Sequence, residues 1–502
     1  MNEEQYQQVC EVCDRLLADS DSTLERIAIP WLHVLNEHPS NLSMYEHLFY
    51  SGNRSFRWHI NLMKDLLFSA RALMSSAFLI RQPALPQKID VLIISHLLNP
   101  SQLGAHDFYF GRLPEALAAE GLHTLVALRN QMEAHRYRYF AKDLWPPEMA
   151  PRYVLPQILG IFKEFKLKLR LLKEATRLKR AALNAPTTFD MRVHKTAAKQ
   201  AVGQSAIATL RLYYQIQEMV KNLQPTSIVV TYEGHSWERI VFAAARSANP
   251  RIRCIGYHHA ILFPRQHAIG MALGYPYDPD LICTAGHVTR KILESNPGIC
   301  KIPLITIGTH RRESLEIAPP KNSNFSTTCL VIPDGTLREC LLLFDFVLSA
   351  ATMLPNITFI LRLHPVVSLA TVINKDKRLR LLPENVKISY ETLDKDFTKC
   401  RWALYRGSGA AIYAASAGLR PLYFKPPKEI LSIDPLYGLK TWRRTVENIN
   451  DLKSAFNSDL HCSFEKMKQE WLHAIEHTNQ YYTHQNVKIF SGLVVEGQEL
   501  NR

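Results

Sequence analysis

The stretch from Ser227 to Pro264 constrains the fold of this chain more than any other part of its 502 residues. The β-branched run Ile228–Val230 is typical of a strand that is buried on both faces. A polar turn follows, and apolar residues at helical spacing then predict a helix from Trp237 to Ser247, which Asn249-Pro250 ends. The next apolar run, Cys254–Tyr257, predicts a second strand. A strand, a helix and a strand in this order predict one α/β unit.

Titratable side chains follow both strands of this unit at the point where each strand ends. Glu233 and His235 come after the first strand, and His258 and His259 come after the second. Ligands of open α/β sheets bind at the carboxyl ends of the strands. We therefore expect a functional site at this edge. The alternative is that these residues are a surface carboxylate and ordinary loop histidines.

The length of the chain predicts two domains, because one hydrophobic core rarely organises so many residues. A doubly wound series begins with the strand Asp90–Ser95 and reaches its second strand at His123–Leu128. The Pro- and Asn-rich segment Ala318–Asn324 predicts a linker, and a second α/β series follows it. The predicted divisions are a helical N-terminal segment (1–85), a first Rossmann-like domain (86–320) with a basic helical insertion at about 130–222, a second Rossmann-like domain (325–450) and a helical tail (451–502).

The end of the first predicted strand supplies further candidates. His96 follows this strand directly, and Asp107 lies in the loop beyond it. Together with His235 and His259, these are the side chains that we expect to contact an acceptor or a donor sugar. For Asp107, the alternative is a residue that only leads the chain into the next helix.

The composition is that of a folded globular protein, since 47% of the residues are hydrophobic and 21% are charged. No stretch is apolar over the length of a membrane span, and the N-terminal residues MNEEQYQQVC do not resemble a secretory signal. Nine scattered cysteines suit a reducing compartment. We therefore expect a cytoplasmic protein, in which the single CxxC pair of Cys10 and Cys13 has a structural role in a helix.

The formal net charge of +14 is concentrated in the segment 160–183, where eight cations alternate with apolar residues. A basic amphipathic helix of this kind indicates a membrane surface or an acidic partner, here the inner face of a membrane. The alternative is a solvated helix whose apolar side belongs to the core. A nucleic-acid partner is not predicted, because the chain has no zinc-finger spacing, no RNA-binding aromatic motif and no helix-turn-helix signature.

Three loops follow three predicted strands of the second domain, and all of them would face the cleft between the domains. Glycines in one of these loops allow close approach of an oxyanion, and a helix begins there with its free N–H groups. We expect a nucleotide phosphate site, although an ordinary strand–helix turn is the alternative for that loop. The candidate residues are Asp334, Gly335, Thr336, Arg362, His364, Pro365, Gly407, Ser408 and Gly409.

Three short motifs resemble those of GT-B glycosyltransferases, and in particular the bacterial CMP-sugar-dependent sialyltransferases and Kdo transferases of capsule and lipopolysaccharide assembly. They are Tyr232-Glu233-Gly234, Arg362-Leu363-His364-Pro365 and Gly407-Ser408-Gly409. Two details depart from that pattern. The acidic motif has one carboxylate instead of a pair, and Ser408 stands alone between glycines instead of in a Ser/Thr-Ser pair.

The resemblance implies an inverting transfer from a CMP-activated acidic sugar to a surface glycan or glycolipid. Glu233 would be the general base, His364 would stabilise the departing phosphate, and Ser408 would anchor it. No cofactor or metal is expected, since the nucleotide sugar is the substrate. His258 and His259 remain alternatives for the base.

Two other functions stay open at this point. One is a nucleotide-sugar epimerase or hydrolase on the same fold. The other is a non-catalytic binding protein of polysaccharide assembly.

Overall fold

A computed structural model describes residues 1–34, 42–50, 85–98, 102, 105–131, 149–314, 317–320, 327–427 and 429–499. Among these residues, no helix is both long enough and apolar enough to cross a membrane. Parts of the predicted helical N-terminal segment, residues 35–41 and 51–84, lie outside the described residues.

The first domain is built on seven parallel strands in the order β3-β2-β1-β4-β5-β6-β7. The order runs outward from β1 in both directions, so the sheet is doubly wound. The strands are β1 (Val91–Leu97), β2 (Thr124–Asn130), β3 (Arg152–Val154), β4 (Ser227–Thr231), β5 (Arg253–His258), β6 (Leu281–Thr284) and β7 (Leu304–Thr306).

Helices alternate with most strands of both domains, while others form the N-terminal segment, the insertion and the tail. They are α1 (Glu3–Ala18), α2 (Leu24–Ile27), α3 (Ser43–Glu46), α4 (Leu113–Ala119), α5 (Ile161–Ala181), α6 (Thr188–Ala201), α7 (Gln204–Leu223), α8 (Ser236–Ala248), α9 (His287–Glu294), α10 (Leu337–Met353), α11 (Leu369–Lys375), α12 (Leu393–Lys399), α13 (Ala410–Ser416), α14 (Ile449–Leu460), α15 (Phe464–Asn479) and α16 (Val487–Glu499).

Both faces of the first sheet are buried, which explains the continuous apolar runs of its strands. Ile228 and Val230 pack under α7 and α8, whereas Val229, which points to the other face, packs under α4 and α16. The strand–helix–strand unit predicted from Ser227 onward is therefore confirmed as β4, α8 and β5.

Two details of this domain differ from the sequence prediction. The strand β1 continues through His96, which pairs with Arg129, so this histidine belongs to the strand end and does not follow it. The strand β3 lies inside the segment predicted to be helical, where it pairs with Val126–Leu128. Three residues are too few to display an alternating pattern, so the sequence alone could not reveal β3.

The second domain repeats the doubly wound plan with six parallel strands in the order β10-β9-β8-β11-β12-β13. They are β8 (Thr328–Ile332), β9 (Thr358–Leu361), β10 (Val386–Ile388), β11 (Trp402–Tyr405), β12 (Arg420–Phe424) and β13 (Arg444–Val446). The predicted pair of Rossmann-like domains is confirmed.

The C-terminal tail connects the two domains. After α15 has packed on the second domain, Thr483 donates its backbone N–H to the Ala285 carbonyl and accepts one from Thr309, at 3.0 Å each. The following helix, α16, then covers one face of the first sheet through Phe490 and Val494.

The N-terminal segment forms a separate cluster with α5, α6 and α7. A buried ion pair joins Arg26 to Glu174 of α5, with Nε and Oε1 2.7 Å apart. Cys10 and Cys13 lie on α1 as free, buried thiols, which matches their predicted structural role.

Candidate functional site

A cavity of about 590 Å³ opens at the carboxyl edge of the first sheet, where the strand order reverses between β1 and β4. This switch point is the usual ligand-binding position of doubly wound sheets. Four of the predicted residues line the cavity together, although they come from three strands: His96, Glu233, His235 and His259.

The turn after β4 presents Glu233 to this cavity. Gly234 has φ of +84°, and a Cβ there would lie 2.4 Å from the Ala268 carbonyl, so only glycine fits. The side chain of Glu238, in the first turn of α8, accepts the backbone N–H groups of Glu233 and His235 through Oε2, at 2.8 Å each. The turn is thus held by the close contact between Gly234 and the Ala268 carbonyl and by the two hydrogen bonds to Glu238.

Two imidazoles surround the carboxylate of Glu233. The Nε2 atom of His235 is 3.2 Å from Oε2, and the Nε2 atom of His259 is 3.9 Å from Oε1. Burial raises the pKa of Glu233, but the hydrogen bond from His235 and the neighbouring imidazoles outweigh burial, and the pKa lies below its usual value. Glu233 is therefore ionised at neutral pH, as a general base must be.

Aromatic rings form the rest of the wall. The His96 ring meets Trp237 edge-on at 4.8 Å and Tyr109 at 5.4 Å, and Tyr109 meets His259 at 4.6 Å. Burial lowers the pKa of His96 and that of His259 to about 3, so both rings are neutral at pH 7. Their Nδ1 atoms are buried, and each lacks a hydrogen-bond partner within the described part of the chain.

A second carboxyl group, that of Glu238, also lines the cavity. Burial, and secondarily the charge of Glu233, raise the pKa of Glu238 to about 8, so this group is mostly protonated at neutral pH. The motif Tyr232-Glu233-Gly234 supplies one carboxylate in sequence, but the fold brings a second acid to it from the next helix.

The structure does not bring two of the predicted residues into the cavity lining. His258 is fully buried, and its Nδ1 lies 2.7 Å from the Tyr232 carbonyl. Asp107 accepts the backbone N–H groups of Tyr109 and Phe110 at 2.8 and 2.9 Å, which are the contacts of a turn. Their predicted roles at the site remain predictions.

The three predicted phosphate loops meet at the carboxyl edge of the second sheet. A Cβ on Gly335 would lie 3.1 Å from the His364 ring, and a Cβ on Gly407, at φ of +69°, would lie 2.9 Å from Cβ of Asp334. The loops after β8, β9 and β11 are therefore in close contact, and each contains a glycine or proline at its turn.

The side chains of these loops are held in different ways. His364 accepts the Val366 backbone N–H at Nδ1 over 3.4 Å, which leaves Nε2 as the nitrogen that carries the proton. Ser408 is buried, and Thr336 caps α10. Arg362 instead donates to Asp396 at 2.6 Å and to the Glu391 carbonyl at 2.7 Å, so its guanidinium is engaged in an ion pair within the domain.

The loop that follows His259 contacts one of the predicted phosphate loops of the second domain. Ile261, two residues after His259, lies within 3.1 Å of the position that a Cβ would take on Gly409. Ile261 also packs against the apolar cluster of the second domain. The loop that follows His259 thus reaches the loop Gly407–Gly409, although the residues that line the cavity of Glu233 all belong to the first domain and the N-terminal segment.

The described residues also form a cavity of about 880 Å³ between the N-terminal segment and the second domain. Its buried charges neutralise one another, because Arg406 pairs with both Glu339 and Glu429. None of the residues predicted for catalysis or phosphate binding lines it.

No protein-family model matches this chain, and no curated protein matches it in sequence. Solved structures that resemble it include the glycotransferase of kitacinnamycin, with a TM-score of 0.46 and 11% identity over 82% of this chain and 100% of that one. The S. aureus MnaA–UDP co-structure has a TM-score of 0.46 and 12% identity over 82% and 97% of the two chains. Acinetobacter baumannii MurG has a TM-score of 0.45 and 11% identity over 81% and 99%.

Two Rossmann-like domains that share a cleft, with a C-terminal tail that returns to the first domain, form the GT-B architecture that the sequence predicts. Residues that the sequence did not single out also line the cavity. Tyr109, Arg129, Trp237 and Glu238 are among them.

Proposed function

We propose that the protein is a glycosyltransferase that moves an acidic sugar, of the Kdo or sialic-acid kind, from a CMP-activated donor to a surface glycan or glycolipid. The observation that carries this proposal is the position of an ionised carboxylate, Glu233, in a cavity from which the loop after His259 reaches the phosphate-type loop Gly407–Gly409 of the second domain. The donor class rests on the three motifs that resemble CMP-sugar transferases.

In this reaction Glu233 takes the proton from an acceptor hydroxyl as that oxygen bonds to the anomeric carbon. The bond between the anomeric carbon and the phosphate oxygen breaks at the same time, and CMP leaves. Donors on the second domain then meet the growing negative charge: the protonated Nε2 of His364 and the Ser408 hydroxyl. In this proposal, neutralisation by these donors requires neither a metal nor a cofactor.

A nucleotide panel tests the donor assignment. The thermal midpoint of the full chain is measured with CMP, CDP, UDP, GDP and ADP, because a ligand that binds only the folded state raises the midpoint. A selective rise with CMP supports the proposal, and CMP-Kdo and CMP-sialic acid then serve as donors. A rise with UDP alone overturns the donor, and no rise with any nucleotide favours a non-catalytic binding protein.

An epimerase or hydrolase remains the second candidate, because Glu233 acting on water or on the donor sugar itself would need the same cavity. Incubation of a nucleotide sugar without acceptor separates the two reactions. Release of free sugar, or an epimerised product, at the rate of nucleotide release favours this candidate over transfer.

We further propose that α5 places the protein on an anionic membrane surface, where a glycolipid acceptor would be found. One stripe of α5 is core, since Leu167, Leu171 and Leu178 are buried against α6 and α7. A second stripe, at the same spacing on the opposite face, is exposed: Phe162 by 86%, Phe165 by 61% and Leu172 by 53%. The helix is thus apolar on two sides, and only one of them is covered.

Cations lie on both sides of the exposed stripe. Arg170 is engaged with Glu25 and Tyr214, Lys163 pairs with Glu218 and Arg177 with Glu174, but the other five have no carboxylate partner among the described residues. Exposed aromatic residues flanked by free cations match the chemistry of an anionic lipid surface, in which the rings enter the interface and the cations meet the head groups. The unpaired cations are Lys166, Lys168, Lys173, Lys179 and Arg180.

A further inference from the structure

The guanidinium of Arg129 lies in the wall of the same cavity as Glu233. Arg129 stands near the end of β2, in register with His96 of β1. Its Cζ is 5.0 Å from the centre of the Trp237 ring, so the ring face holds the cation in place. Burial lowers the pKa of Arg129 to about 10, and the side chain is still charged at neutral pH.

Unlike three buried arginines elsewhere in the fold, Arg129 forms no ion pair with a carboxylate among the described residues. Arg239 pairs with Asp278 at 2.5 Å, Arg26 with Glu174 at 2.7 Å, and Arg420 with Asp459 at 3.0 Å. Within the described ranges, no carboxylate forms an ion pair with Arg129, and no hydrogen bond involves its side chain. A cation that is partly removed from water without a partner costs free energy, so such a group at a cavity is a ready receptor for an anion.

The charge of Glu238 offsets part of the effect of burial on the pKa of Arg129, but Glu238 forms no ion pair with Arg129 among the described residues. Glu238 is mostly protonated at neutral pH, and its Oε2 is occupied by the two backbone N–H groups of the Glu233 turn. Its other oxygen, Oε1, is buried without a partner in the described structure, as are the Nδ1 atoms of His96 and His259. Three side chains of the cavity wall, each more than nine-tenths buried, therefore hold unused polar atoms beside an unpaired guanidinium.

We infer that this cavity binds a sugar that carries an anionic group, carboxylate or phosphate, through the guanidinium fork of Arg129, and that the unused polar atoms of His96, His259 and Glu238 receive its hydroxyls. This inference rests on the proposed function, in which the same cavity holds the acceptor hydroxyl near Glu233. A planar fork suits both carboxylate and phosphate oxygens. A volume of about 590 Å³ is within the usual range of ligand pockets.

Ligand-observed NMR titration of the full chain tests this inference with three probes: glucose, glucuronate and glucose 1-phosphate. We expect at least one anionic probe to bind about tenfold or more tightly than glucose, as a charge-assisted contact predicts. The comparison of glucuronate with glucose 1-phosphate distinguishes a site for a carboxylate from a site for a phosphate. The inference is overturned when neither of them exceeds glucose.

Two variants and one control assign the effect to Arg129. Arg129→Met should remove the preference for the anionic probe, and Arg129→Lys, which keeps the charge but not the fork, should retain only part of it. Arg112→Met changes an exposed arginine outside the cavity and should leave the preference unchanged. A preference that survives in both Arg129 variants overturns the inference, and Arg129→Lys decides the matter when Arg129→Met does not fold.

CMP binding, measured on the same samples, separates this inference from the proposed function. Arg129 lies outside the predicted nucleotide loops, so CMP affinity should be the same in wild type and in both variants. Arg129-dependent binding of an anionic sugar without any CMP binding would retain the subsite and remove the donor. CMP binding without any preference for an anionic sugar would support the donor assignment and overturn the anionic subsite.

Discussion

Glu238 holds the turn that presents Glu233 by accepting the backbone N–H of Glu233 over 2.8 Å, while its own carboxyl group stays mostly protonated. A buried acid thus builds the loop that presents an ionised acid. The two groups lie five residues apart in sequence, and the fold gives them opposite shifts in pKa.

The raised pKa of Glu238 predicts a dependence of stability on pH. Between about pH 5 and 8 the unfolded carboxyl group has released its proton while the folded one retains it, so the folded state loses stability as the pH rises. The slope from this group is at most about 1.4 kcal/mol per pH unit.

Glu238→Gln keeps an acceptor oxygen without a titrating proton, so its thermal midpoint should fall less across this pH range than that of wild type. The control is Glu294→Gln, which changes an exposed glutamate. Parallel curves for wild type and Glu238→Gln would contradict the assignment.

Glu233→Gln should lower the rate of sugar transfer by about 100-fold or more, because loss of a general base usually costs two to four orders of magnitude. The nucleotide site is on the other domain, so CMP affinity should change by less than about twofold. Turnover is measured with the donor that the nucleotide panel identifies. Transfer at the wild-type rate would exclude Glu233 as the base and would turn attention to His259.

His364→Ala should weaken CMP binding by about tenfold, since it removes one hydrogen-bond donor to a charged phosphate. Arg362→Met should instead lower the thermal midpoint, because it leaves the buried Asp396 without its partner. An exposed histidine, His461, provides the matched control as His461→Ala. Equal CMP affinity in wild type and His364→Ala would move the phosphate site elsewhere.

Gly234→Ala tests the geometry of the turn. Gly121 has nearly the same φ, +85°, but a Cβ there meets nothing within 4 Å, so Gly121→Ala measures the cost of backbone conformation alone, about 1–2 kcal/mol. The added methyl group at Gly234 would also meet the Ala268 carbonyl, and the loss of stability should be larger. Urea unfolding of both variants gives the comparison, and equal losses would show that the turn tolerates a side chain.

Replacement of Lys166, Lys168 and Lys173 by glutamine should release the protein from vesicles of anionic phospholipid, because each cation near such a surface contributes about 1 kcal/mol. The same replacement of Lys453, Lys466 and Lys468 removes three exposed cations from the tail and should leave binding intact. Binding is measured by sedimentation with vesicles. Neutral vesicles should bind neither variant strongly, and equal retention of both variants on anionic vesicles would contradict the proposal.

Much of the fold was predictable because its strands are short apolar runs that end in polar turns. Ile228–Val230 and Cys254–Tyr257 are clear examples, since burial on both faces leaves a continuous pattern in the sequence. Glu233, His235 and His259 could be placed together from topology alone, because parallel strands end at one edge.

The rest of the cavity depends on contacts that no local pattern reports. Trp237 and Glu238 belong to the first turn of a helix, and their spacing fits any amphipathic helix. Tyr109 comes from a loop. The spacing of Glu238, three residues after the helix cap at His235, was the one available signal. No sequence pattern indicated Arg129, because only the folded structure reveals that it forms no ion pair among the described residues.

The return of the tail to the first domain has a consequence for how the protein is made. The helix α16 supplies Phe490, Leu493 and Val494 to one face of the sheet that carries Glu233, and the ribosome synthesises it after both domains. The first domain therefore leaves the ribosome with part of its apolar surface uncovered. That surface stays exposed until α16 has been synthesised. The first domain is therefore the first to be synthesised and the last to be completed.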